Sequence, residues 1–316
     1  GDVAAQSGNL VIIATLLMLI IIVPVLILTV YFALKYRESN NPSDYDPEWH
    51  HSTSLELVIW SVPLLIVIAL GSLTWIYTHK LDPYRPLDRI DASRPVPADV
   101  KPLEVEVVAL DWKWLFIYPE QGIATVNELA APVDRPIRFK LTSTTTMNAF
   151  YVPELAGMIY AMPSMQTQLN AIINKVGVYK GMSSHYSGAG FAGMTFKFHG
   201  LSDNDFAAWV QKAQTEGATL DRAEYLKLEK PSERDPVRLF NNVDNTLYHA
   251  IMNRCVEANK MCMDDMMAKD AMANTNTRAK QGKNVSLIPQ DDVCTAANAV
   301  QVASALRVDE PSTVTQ

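Results

Sequence analysis

Thiols are nearly absent from this 316-residue chain, which has three cysteines, Cys255, Cys262 and Cys294, and none before position 255. A zinc or iron–sulfur framework of the usual four-ligand kind is thereby excluded. In an oxidising compartment two of the three can pair and leave one over; otherwise they are incidental residues of a weakly structured tail. Basic charge is short as well. With 27 Lys and Arg against 34 Asp and Glu the formal charge is −7, and no stretch gathers a basic face, so a nucleic-acid partner is excluded. Two long stretches near the N-terminus hold no charge of either sign, and residues 1–34 contain no Lys or Arg. The apolar fraction of 48% is ordinary, but much of it is concentrated in those stretches, and the remainder reads as an acidic, soluble protein.

The first uncharged run is Leu10 to Leu34 and the second Leu57 to Tyr77. At about 1.5 Å per residue each is long enough to cross a hydrocarbon core of about 30 Å. The first is too long for the apolar part of a signal peptide and the second is internal. The chain starts at Gly1 rather than Met, which fits removal of an upstream signal segment. Pro24 and Pro63 interrupt the two runs, which neighbouring helices or side chains can accommodate. Two spans form a hairpin, with both ends on one side of the bilayer. Lys35 and Arg37 favour a cytoplasmic loop between them, which puts the large C-terminal part outside, in the periplasm or its equivalent. Glu56 opens the second span. An acid at membrane depth is costly and points to function; the plainer alternative is a carboxylate that reaches the interface and favours the helix N-terminus.

Residues 83–102, rich in proline and charge, read as an extended linker. Short β-type runs follow: Leu103 to Leu110, Trp112 to Tyr118, Ile137 to Thr142, Gln166 to Ile173, Val178 to Met182 and Met194 to Leu201, separated by turn signals. This spacing predicts an antiparallel sandwich or barrel. After Leu201 the period becomes helical. Ser202 with Asp205 forms an N-terminal cap for a stripe of Phe206, Trp209, Val210 and Ala213; a shorter helix fits Asp221 to Leu228, and Asp244 caps a third that carries Leu247, Tyr248, Ile251 and Cys255. The expected domains are 1–82 (anchor), 83–102 (linker), 103–201 (sandwich), 202–258 (helical extension) and 259–316, a Met-rich and partly disordered tail. In that tail Met261, Met263, Met266, Met267 and Met272 alternate with Asp264, Asp265 and Asp270. Such a run can collect copper ions; the ordinary reading gives its methionines no ligand role.

The stretch Gly181 to Met194, GMSSHYSGAGFAGM, has the spacing of a binuclear copper loop, which needs two bridging thiolates, an imidazole and a thioether. Together with HSTSLELVIWSVP at the second span, DWKWLFIYPEQGIATVNE at Asp111 to Glu128 and TMNAFYVPELAGMIYAMPSMQT at Thr146 to Thr167, it makes the chain from about Gly8 to Cys255 resemble subunit II of the haem-copper respiratory oxidases, in the ubiquinol-oxidising, bo-type branch. The resemblance implies two transmembrane helices followed by a cupredoxin-like β-sandwich. Carried over position by position, the copper ligands of the cytochrome c branch fall on Asn148, Ser183, His185 (a main-chain carbonyl ligand), Ser187, Phe191 and Met194. Both thiolates and both imidazoles are missing, so the resemblance implies vestigial positions and no metal or catalytic residue in this chain.

It further implies that haems and copper reside in subunit I, the main partner, with further small membrane subunits beside it. Ubiquinol would reach the complex through the bilayer by way of subunit I. The expected location is the bacterial inner membrane with the C-terminal domain periplasmic. Glu56 matches the acid at the cytoplasmic mouth of a proton pathway. Trp112 and Trp114 match an aromatic pair on an electron route, but serve packing where there is no copper to feed. Relatives are often anchored by a lipidated N-terminal Cys; here it would have to lie upstream of Gly1. Two other functions fit parts of the pattern, a membrane-anchored cupredoxin electron carrier and a periplasmic copper-handling protein.

Overall fold

The computed structural model describes residues 1–37, 48 and 50–280, with side chains described through 273. Cys294, the remainder of the tail and most of the loop between the spans lie outside the described residues. Gly1–Cys262 form one compact unit, and a second begins at Met263.

Helices α1 (Asp2–Lys35) and α2 (Thr53–Lys80) pack side by side as the predicted hairpin, and neither buries a residue in the rest of the protein. Their apolar surface is turned outward all round, as a lipid-facing helix requires. The N-terminal end of α1 is tied to the sandwich side: Arg89 Nε donates to Asp2 Oδ2 at 2.7 Å, the Gly1 amino group donates to the Glu154 carbonyl, and Val3 packs on the core. The segment after α2 is held there too, because Asn170 donates to the carbonyls of Pro83 and Tyr84.

Among the described residues twelve strands follow: β1 (Leu103–Leu110), β2 (Lys113–Tyr118), β3 (Ile123–Val126), β4 (Glu128–Pro132), β5 (Ile137–Ser143), β6 (Asn148–Tyr151), β7 (Ile159–Ala161), β8 (Thr167–Ala171), β9 (Gly177–Ser183), β10 (Thr195–Leu201), β11 (Ala218–Thr219) and β12 (Arg238–Asn241). They form two sheets, β11-β12-β3-β2-β1-β5-β8 and β4-β10-β9-β6-β7. The sandwich is as predicted, but it is not purely antiparallel: β1 runs parallel to β5 and β4 parallel to β10. Long excursions separate each of these pairs in sequence, and parallel neighbours need such crossovers.

Alternation explains the layering. Leu103, Val105, Val107 and Ala109 of β1 enter the core between the sheets, where Trp114, Phe116, Phe150 and Phe196 cluster; Phe150 and Phe196 stack at 5.4 Å and Trp114 meets Phe150 edge-on at 5.5 Å. Val108 and Leu110 point the other way, to a second core built by the C-terminal extension. The extension comprises α3 (Asp203–Glu216), α4 (Arg222–Leu228), β12 and α5 (Leu247–Met252). Ser202 Oγ accepts from Asp205 N at 3.2 Å, as the sequence predicts, and Asp221, expected as the first residue of α4, caps it by accepting from Glu224 N. Thr246 rather than Asp244 is the cap position of α5, while Asp244, two residues earlier, accepts from Thr246 N. A disulfide joins Cys255 to Cys262. The first part of the expected tail is helical: α6 spans Met263–Lys280, consistent with its Ala, Met and Lys residues.

Candidate functional site

The structure brings the predicted loop positions to one end of the sandwich. Asn148 sits on β6 and Ser183 at the end of β9, next to each other across the sheet and almost wholly buried. Ser183 Oγ lies 3.3 Å from Asn148 Oδ1 and 3.3 Å from the His185 carbonyl, and Asn148 Nδ2 donates to the Thr146 carbonyl at 3.1 Å. Ser187 Oγ approaches the Met194 sulfur at 4.0 Å. Phe191 lies on a 3-10 helix (Ala189–Gly193) with its ring 5.6 Å from Tyr186, and Met194 is buried in the core. The imidazole of His185 is elsewhere, edge-on to Tyr160 at 6.0 Å.

This donor set does not fit a copper centre. An amide, two hydroxyls and a phenyl ring stand at the positions where soft or borderline copper needs thiolate and imidazole. The polar groups present satisfy one another, so the interior of the loop is a neutral hydrogen-bonded network.

The loop is also covered from outside. Trp112, at φ 65° in the β1–β2 turn, donates its indole N–H to the Ser187 carbonyl at 3.0 Å. A Cβ added at Gly190 would fall into the Trp112 ring on one side and reach 2.8 Å from Glu233 Cγ on the other; at Gly193 it would lie 2.9 Å from Arg234 Cγ. Residues 230–235 thus form a strap across the loop. Lys113 fastens it: the side chain is 1% exposed, donates to the Lys230 carbonyl at 2.8 Å and to Ser232 Oγ, and pairs with Asp235 at 3.5 Å. Burial pulls the Lys113 ammonium below its ordinary range, and Asp235 opposes that pull. Asn127 completes the seam, accepting from Trp114 N and donating to the Asp235 carbonyl. Trp114 itself packs in the core. Sequence reasoning missed the strap, since nothing in the spacing relates residues 230–235 to the loop; the one available signal was a lysine inside an otherwise apolar strand.

Glu56 is remote from this loop. It lies in the first turn of α2, about half exposed, and its Oε1 is 2.7 Å from His51 Nδ1; His51 Nε2 in turn lies 3.3 Å from Thr53 Oγ1. The predicted carboxylate therefore has an imidazole partner that the sequence reading left out. A titratable His a few residues ahead of a helix-opening Glu was the signal.

Residues 103–199 match the family model of the cytochrome c oxidase subunit II periplasmic domain, and residues 214–259 that of the COX aromatic rich motif. Over 254 residues the chain is 50% identical to the cytochrome bo(3) ubiquinol oxidase subunit 2 of Pseudomonas putida, covering 80% of this chain and 78% of the relative. Over 269 residues it is 45% identical to the ubiquinol oxidase subunit 2 of Acetobacter aceti, covering 85% and 84%. Among solved structures, the periplasmic domain of subunit II of cytochrome oxidase from Bradyrhizobium japonicum aligns at 26% identity and a TM-score of 0.36, over 39% of this chain and 99% of that one. With half its aligned residues shared over most of a full-length relative, the chain belongs to the ubiquinol oxidase subunit 2 family of the haem-copper oxidases.

Proposed function

We propose that this chain is the non-catalytic second subunit of a proton-translocating oxidase that passes electrons from ubiquinol to dioxygen, and that it holds no redox centre in the 181–194 loop. The observation that carries the reading is the closed network at Asn148 and Ser183, where the polar side chains bond to each other and to the main-chain carbonyls of Thr146 and His185, and neither is a copper-type donor. The strap of residues 230–235 supports it, because it occupies the outer side of the loop and Trp112, where a soluble one-electron donor would have to approach. Quinol is lipid-soluble and needs no such approach. Haems and the oxygen-binding copper then belong to subunit I, which this chain joins through α1 and α2 together with further small membrane subunits.

The sandwich lies on the periplasmic side of a bacterial inner membrane in this reading. The Cys255–Cys262 disulfide supports that side, since disulfides persist in oxidising compartments. The opposite end of the hairpin carries Glu56 and His51, two exchangeable groups in hydrogen-bond contact near the bilayer surface. There the carboxylate takes a proton from water and passes it toward subunit I, with the imidazole as its exchange partner.

The test is oxygen consumption by the complex that co-purifies with this chain. Ubiquinol is expected to drive turnover and a reduced soluble haem protein is not; turnover with the haem protein, together with stoichiometric copper and a thiolate-to-copper band in the chain, would overturn the reading. In the same assay Glu56→Gln is expected to slow proton uptake and quinol oxidation severalfold, with Glu56→Asp milder. Unchanged turnover in both variants would return Glu56 to a surface carboxylate.

A further inference from the structure

Five of the chain's 13 methionines fall between Met261 and Met272, and neither the loop nor the proton route uses any of them. Helix α6 turns part of this run into an ordered surface. At 3.6 residues per turn, Met263, Met266, Met267 and Asp270 share an arc of about 100°, with Met263 and Met267 about 6 Å apart along the axis. Met266 is 43% exposed and Met267 63%. Leucine would serve a helix face built only for packing at least as well; a row of methionines adds soft thioether sulfur. Three thioethers at i, i+3 and i+4, each on three rotatable bonds, can converge on one ion above the helix surface.

The chemistry of the donors selects the ion. Neutral, polarizable thioethers suit cuprous copper, whereas calcium and magnesium require oxygen ligands and zinc prefers thiolate, imidazole or carboxylate. Asp270 lies on the same face, and Asp264 and Asp265 stand in the first turn; against Lys269 these three carboxylates leave the segment net acidic and offset the positive end of the helix dipole. We propose that the Met263–Met266–Met267 face of α6 binds one cuprous ion through its three thioethers, with Asp270 balancing the charge. This site is independent of the 181–194 loop and of the proposed proton and electron roles; the ion neither gains nor loses an electron on binding.

The experiment uses the purified oxidase complex with the full chain carrying Cys294→Ser, because Cys255 and Cys262 are joined to each other and Cys294 would compete as a thiol. Ag(I), a redox-silent substitute for Cu(I), is titrated, and X-ray absorption at the silver edge reads its ligand shell. The expected result is one Ag(I) per chain in a sulfur shell, lost in the triple variant Met263→Leu, Met266→Leu, Met267→Leu, with quinol oxidation unchanged. Leucine preserves apolar volume, so that loss reports the sulfur. Asp270→Asn is expected to weaken binding without removing it. A second measurement needs no variant: oxidising the three thioethers to sulfoxides with peroxide must abolish uptake. Absence of stoichiometric uptake, an oxygen-only shell, or uptake that survives either the triple variant or complete oxidation overturns the proposal.

Discussion

At the scale of single residues, the groups that matter most are polar ones in places where burial is costly. Glu106 is the sharpest case. It lies on the outward face of β1 in register with Lys140, beside Glu104 and near the buried Tyr248. Burial, and secondarily the Glu104 charge, push its carboxyl up to about 7, with Lys140 opposing. Because the folded-state value is raised above the ordinary 4.5, the stability this group contributes is complete below about pH 4.5 and is lost as pH rises through about 7. Glu106→Gln, neutral and of the same shape, is therefore expected to leave stability unchanged in acid and to raise it by about 2–3 kcal/mol above pH 8. Denaturant titration of the chain in detergent at the two pH values checks this, and an equal effect at both would show that the carboxyl is not desolvated. Residues of this kind were not legible in the sequence. The alternation Leu103-Glu104-Val105-Glu106 reads as an ordinary half-exposed strand, and only the packing of the extension over that face distinguishes Glu106 from Glu104. The positions of Asn148, Ser183 and Met194 were legible, because loop spacing survives the replacement of its ligands; His51 and Lys113 stand out in the sequence only as polar residues in unusual places, because their partners are set by three-dimensional contact.

At the scale of elements, the long or strongly patterned segments were readable and the short ones were not. β1 ends where its pattern predicts, and β2, β5, β9 and β10 agree to within a residue. β3 and β4 were missed because they are short, rich in Ala and joined by Asn127 in a left-handed conformation, so that neither shows a clear period. β12 was missed because it gains its identity only by pairing with β3. The helices of the extension were predicted, α3 from its Ser202 cap and apolar stripe, but not their purpose, which is to close a second core over Val108, Leu115, Ile117 and Val126. The Cys255–Cys262 disulfide fastens the end of that cover; Cys255 is buried in the second core and Cys262 packs beside it. Closing so short a loop is worth about 2 kcal/mol by restriction of the unfolded chain. Replacing both cysteines by serine is expected to lower stability by about that amount. Hydrogen exchange localises the effect: protection is expected to fall in α5 and the 253–262 segment while β1, β2 and β5 keep theirs. Equal loss throughout the sandwich would mean that the extension and the sheet unfold as a single unit.

At the scale of the whole molecule, the chain is a membrane hairpin, a sandwich whose copper-type loop is closed from inside and outside, a cover for one sheet, and a separate methionine-bearing helix. These parts differ in how much the remainder depends on them, and truncation separates them. Ending the chain after Cys262 removes the second unit and leaves every strand, both cores and the disulfide in place. Assembly of the proposed oxidase complex and its quinol oxidation are expected to stay within about twofold of the full chain, a change in barrier of about 0.4 kcal/mol. Ending it after Leu201 is different in kind. It strips Leu220, Tyr225, Leu228, Phe240, Tyr248 and Ile251 from the outer sheet face, each large apolar side chain worth about 1.5–3 kcal/mol when fully buried, and it removes the strap that holds the 181–194 loop. That sum is comparable to or larger than the roughly 5–15 kcal/mol by which a whole domain is ordinarily stable, and the uncovered β-face adds an association hazard. The shorter chain is therefore expected to aggregate or fail to assemble, read by size-exclusion chromatography of the solubilised complex. Should it assemble and support quinol oxidation at the full rate, the extension would be an ornament on a self-sufficient sandwich, and the strap's role in closing the loop would fall with it.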